Sequence, residues 1–137
     1  MLRTVFAFLL GVVAMVATVA GLQMVGQWLW PPPTGVDPTK PEQLATLVEQ
    51  MPLAAKVWVL VAYATAVEVG TIVAVLVQRP RWRGLAMSIG VLMMALCALN
   101  FWMLPHPLWM VVVGLLVPLP VAMMAGWWLR PRAAVGA

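Results

Sequence analysis

Few side chains in this 137-residue chain could do chemistry, and the most informative of them is Glu68. It lies deep in a long apolar stretch, 53–77, about 22 Å from the beginning of that stretch if the residues rise 1.5 Å each along a helix. An acidic side chain at such a position costs about 2.5–3.5 kcal/mol on insertion scales. A hydrocarbon medium favours the neutral carboxyl over the carboxylate. One role for such a group is a proton- or cation-coupled site. The other is a structural hydrogen bond, either to Thr71 one turn on or to Ser88 at similar depth in the next apolar stretch.

A second set of polar residues gathers near the other ends of the apolar stretches. Gln23 and Gln27 stand one turn apart on the first, Lys56 opens the second, Asn100 closes the third, and His106 follows in a short connection. Counted along helices, all lie within about 10 Å of one surface. They could form a shallow polar pocket, or they could cross-link helices by hydrogen bonds. Met103, His106 and Met110 are soft ligands suited to copper(I). Eleven methionines in so apolar a chain make that proximity unremarkable, and no metal site is assigned. Catalysis finds no support: the only histidine is in a connection, the only cysteine (Cys97) is among apolar residues, and no nucleophile stands beside a base. No cofactor-binding motif is present, and an enzyme is not expected.

The elements that carry these residues are four apolar runs, at about 5–30, 53–77, 85–104 and 108–129. Each has the roughly 20 residues needed to cross a hydrocarbon core about 30 Å thick. With 64% hydrophobic and 9% charged residues and a mean hydropathy of +1.00, a soluble domain of this size could not cover its surface. The expected fold is therefore all-α: one integral-membrane four-helix bundle spanning residues 1–137, with the lipid bilayer as its first partner. The charge of +4 is explained by topology rather than by a nucleic-acid partner. Arg3, Arg79, Arg81, Arg83, Arg130 and Arg132 fall at the N-terminus, the second connection and the C-terminus, and they share one side only if both termini are cytoplasmic. The eight tryptophans fall at span ends, as two aromatic belts. The first run continues ten residues past the weak cleavage pattern at Ala20, so it reads as an uncleaved span. Cys97 alone cannot form an intramolecular disulfide.

Between spans, Pro31-Pro32-Pro33 ends the first helix, because proline offers no N–H and fixes its backbone. Residues 34–38 read as a turn, and Thr39 with Glu42 has capping-box spacing. Leu44, Leu47, Val48 and Met51 then share one face of a short amphipathic helix on the outer surface. The arginine-rich connection 78–84 is a tight cytoplasmic turn, and Pro105-His106-Pro107 forces the last two spans into a hairpin. Pro118 and Pro120 should kink the fourth span and free the carbonyls of Gly114 and Leu116. On the second span Ala62, Ala66, Gly70 and Ala74 form a small-residue stripe that admits another helix closely. Glu68 points roughly 160° away from Ala66, so stripe and carboxyl must face different neighbours. In so small a chain this favours oligomerisation or docking to a larger complex.

Trp30-Pro31-Pro32-Pro33-Thr34-Gly35-Val36-Asp37, Met51-Pro52, Asn100 and Pro105-His106-Pro107-Leu108-Trp109 resemble a group of small uncharacterised four-span bacterial inner-membrane proteins. Their shared marks are a (Tyr/Trp)-Pro-Pro-Pro-x-Gly-x-Asp loop and a Pro-His-Pro-x-Trp turn. The resemblance implies a bacterial inner membrane and no particular activity; Glu68 departs from it, standing where an apolar residue is expected. Glu68-Val69-Gly70-Thr71 also resembles the active-site stretch of small multidrug resistance transporters, although that family carries the glutamate on its first helix with one more residue before the glycine. The expected function is non-enzymatic: a membrane protein acting through helix contacts, as an oligomer or an accessory subunit. The alternative is a small transporter or channel coupled through Glu68.

Overall fold

The computed structural model describes residues 1–35 and 40–131, without the side chains of Pro41 and Leu44. Thr39, Asp37 and Arg132 lie outside the described residues, as does the Leu44 side chain. Six helices follow in order: α1 (Leu2–Leu29), α2 (Pro41–Gln50), α3 (Leu53–Val77), α4 (Trp82–Met103), α5 (Leu108–Leu116) and α6 (Pro118–Trp128), with a 3-10 turn at Arg79–Arg81 before α4. Four helical stretches are long and apolar enough to cross a membrane, with α5 and α6 together making the fourth, so this is a multi-pass membrane protein. Helices are the economical choice here, because each satisfies its own backbone polar groups where no water can.

Prolines set most of the boundaries. The last helical bond of α1 is Trp30 N–H to the Gly26 carbonyl, after which three prolines cannot continue the pattern. Gly35, at φ +95°, turns the chain in a backbone region that side chains disfavour. Pro52 and Pro107 precede α3 and α5 as their N-caps. α2 starts at Pro41 with Lys40 as N-cap and no side-chain cap. At the prolines of the fourth span α5 ends at Leu116 and α6 begins at Pro118, while Val117 between them keeps helical backbone angles, φ −76° and ψ −38°. Pro118 and Pro120 withhold the N–H groups that Gly114 and Leu116 would receive; only Val117 N–H to Val113 and Val121 N–H to Val117 bridge the break.

The bundle is built from two tight pairs. α1 packs mainly on α3, and α4 mainly on α6, with α3 touching both α4 and α6 at the centre. Small residues make both pairs. On α3, Ala62, Ala66, Gly70 and Ala74 are all buried, and the matching face of α1 carries Ala7, Gly11 and Met15. A Cβ added at Gly70 would lie 2.8 Å from the Gly11 carbonyl oxygen, and one at Gly11 would lie 2.6 Å from the Gly70 carbonyl oxygen. The two backbones are therefore in contact, and neither position has room for a methyl group. On the other side Ala86 and Gly90 of α4 meet Ala122 and Gly126 of α6. In lipid there is no hydrophobic gain from bringing helices together, so this close van der Waals approach is what holds them.

Candidate functional site: the outward face of α3 and two lateral clefts

The stripe on α3 is consumed inside the bundle by α1, which leaves the opposite face free. Val57, Val61, Glu68 and Leu76 are exposed along it, at helical spacing. Glu68 is the only acidic or basic residue of this outward stripe. It lies nine positions before Val77, about 13 Å along the helix, so it is well inside the span. Among the described residues no hydrogen bond or ion pair reaches it.

The two partners expected for Glu68 from the sequence are elsewhere. Thr71 is fully buried, and its Oγ1 has no hydrogen-bond partner. Three residues turn the helix by about 300°, which carries Thr71 about 60° around the rim from Glu68 into the core. Ser88 is exposed on α4 and lines a cleft with Thr4, Phe8, Arg81 and Gly84, on the α1 side of the molecule. Glu68 faces away from α1. Neither bond forms, and the carboxyl is left to whatever surrounds the bundle.

The outer polar residues are distributed over separate places. Gln23 and Gln27 line a groove of about 540 Å³ with Gln50, Trp30, Pro32 and Met51, where the end of α1 meets the loop and α2. Lys56 turns towards α2, donating from Nζ to the Glu49 carbonyl at 3.3 Å. That carbonyl is among the last of α2, which its own helix leaves without a donor, and a cation is favourable at a helix C-terminus. Asn100 belongs to a second cleft, of about 320 Å³, where its Nδ2 donates to the Tyr63 hydroxyl at 2.9 Å. His106 Nδ1 lies 2.7 Å from the Leu104 carbonyl, which can only accept, so Nδ1 carries the hydrogen. Its ring meets Phe101 edge-on at 5.0 Å. Met103 is exposed while Met110 is buried, so the three soft-ligand candidates occupy different environments.

Several contacts in the structure had no counterpart among the expectations from sequence. Trp58 Nε1 donates across to the Leu22 carbonyl of α1 at 2.9 Å, and its ring leans on Gly26. Trp30 packs 6.2 Å from it. At the opposite end Arg3 Nε donates to the Val77 carbonyl, and Arg83 and Arg130 lie over the rings of Trp82 and Trp127. The Ala7/Gly11, Ala86/Gly90 and Ala122/Gly126 pairs repeat the four-residue spacing already visible in α3, which is the signal that could have revealed them. Tyr63 as the partner of Asn100 had no comparable signal, because the two are 37 residues apart.

No family model, curated protein or solved structure matches this chain.

Proposed function

We propose that this chain is a non-enzymatic membrane protein that works by helix contact, as an oligomer or as an accessory subunit of a larger membrane complex, and that the outward face of α3 is its contact surface. The observation that carries this reading is Glu68, exposed and unpartnered deep in a span, on a face otherwise made of Val57, Val61 and Leu76. Ionisable side chains inside membranes almost always face a bundle interior or pair with another polar group. The interior that Glu68 belongs to is then a larger one than this chain builds. Its complement is a helix bringing a hydrogen-bond donor or a cation to the same depth. A second copy offers another Glu68 there, and two neutral carboxyls can pair with each other. A transporter coupled through Glu68 needs a water path to that carboxyl; Glu68 lines neither the groove at Gln23 nor the cleft at Asn100, so contact is the better supported reading.

On the same reading the arginine-bearing end, with Arg3, Arg79, Arg81, Arg83 and Arg130, faces the cytoplasm and both termini lie there. Residues 31–52, including α2, and His106 then face outward, with α2 resting on the membrane surface. The resemblance to small four-span bacterial proteins favours a bacterial inner membrane.

Glu68→Gln and Glu68→Leu test the proposal. Glutamine keeps the shape and the hydrogen bonding but cannot ionise, so it should fold, associate and support growth as the parent does. Leucine should keep the helical content but shift the chain, purified in mild detergent, towards the free protomer. Unchanged association of the leucine variant would remove Glu68 from the argument. A glutamine variant that folds and assembles normally yet loses its growth phenotype would refute the contact reading and point to proton coupling.

A further inference from the structure

The cleft that holds Asn100 sits where α1, drawn onto α3 by the Gly11–Gly70 contact, stands off from α4. Met15 and Val19 of α1, Tyr63 of α3, and Met93, Cys97 and Asn100 of α4 are among its lining residues. It runs from the middle of the bundle, at Met15 and Met93, towards the end marked by Trp102, two residues beyond Asn100. Its volume of about 320 Å³ is at the lower end of the range for small-molecule sites. The lining is apolar except for the Tyr63–Asn100 pair at the Trp102 end.

That pair has hydrogen-bonding capacity left over. Asn100 Nδ2 donates to the Tyr63 oxygen, so the Tyr63 O–H must find its acceptor elsewhere, and no described residue accepts it. Exchanging the amide oxygen and nitrogen of Asn100 gives the opposite arrangement: Tyr63 then donates to Oδ1, and both amide N–H groups are left over. Either way the pair keeps at least one donor without a partner among the described residues, in an otherwise apolar cleft. A chain with a hydrogen-bond acceptor at its head would satisfy it. The depth identifies the acceptor, because tryptophans mark the headgroup level and the ester carbonyls of a glycerolipid lie just beneath it.

We infer that this cleft binds one acyl chain of a glycerolipid, with its ester carbonyl accepting from the Tyr63–Asn100 pair and its tail running between Met15 and Met93. The inference needs only the membrane-spanning bundle and is independent of Glu68. It is tested by native mass spectrometry of the full chain released from bilayers of diester lipid or of the diether analogue with the same chains and headgroup. The ether lacks the carbonyl but fills the same volume. One diester molecule should be retained about 2- to 10-fold more than the diether, the range expected for one hydrogen bond. In the Tyr63→Phe, Asn100→Leu double variant the two lipids should be retained equally. Unchanged helical content of that variant separates loss of the acceptor's partner from loss of the fold. Equal retention of the two lipids by the parent chain would overturn the inference. So would a diester preference that survives both substitutions, or displacement of the diester by a long-tailed quinone.

Discussion

Gly70→Ala adds one methyl group where α3 meets the backbone of α1. The new Cβ would lie 2.8 Å from the Gly11 carbonyl oxygen and 2.8 Å from Met15 Cβ, both on α1. Ordinary carbon contacts begin near 3.5 Å, so α1 and α3 must separate by about 0.7 Å. A gap of that size forfeits roughly a quarter to a half of the attraction between atoms along the seam. Overpacking of this kind costs about 1–3 kcal/mol. A glycine-to-alanine change inside a helix also gains about 1 kcal/mol of helix propensity, which would hide part of the loss. Gly21→Ala corrects for it: Gly21 is on α1, and a Cβ there meets nothing within 4 Å. Reversible denaturation in mild detergent, followed by tryptophan fluorescence and circular dichroism, should therefore place Gly70→Ala about 1–3 kcal/mol below Gly21→Ala. Gly11→Ala should be as costly as Gly70→Ala. The double variant should cost less than the two together, because the first methyl already opens the gap used by the second. Gly70→Ala at or above the stability of Gly21→Ala would refute the claim that backbone contact holds α1 to α3.

Trp58→Phe keeps an aromatic ring but removes the Nε1 bond to the Leu22 carbonyl, and it should cost about 0.5–1.5 kcal/mol by the same denaturation measurement. Trp28→Phe, at a tryptophan that is almost fully exposed, should cost little; equal effects at both positions would mean that the cross-helix bond contributes nothing. In a Cys97→Ala background, Glu49→Cys should react with a membrane-impermeant maleimide added from outside, and Arg81→Cys only after the membrane is opened. The reverse pattern would overturn the proposed orientation.

The sequence by itself determined the class of this protein. Apolar runs of span length are legible because the hydrocarbon core requires them residue by residue, whatever the helices pack against. Proline punctuation was legible for a similar reason: a missing N–H ends a helix locally, so the limits at Pro31, Pro52 and Pro107 needed no tertiary information. The small stripe on α3 and the opposed direction of Glu68 follow from 100° per residue alone. Which face turned inward did not follow. Hydropathy is nearly uniform around these helices, since lipid and protein interior are equally apolar, so no pattern separates a buried residue from a lipid-facing one. Only packing chose Gly11 as the partner of Gly70, sent Thr71 into the core and Glu68 out of it, and split the outer polar residues between a groove, a cleft and a loop. The Tyr63–Asn100 pair likewise exists only because α3 and α4 meet, and a hydrogen bond between distant residues leaves no periodic trace in the chain.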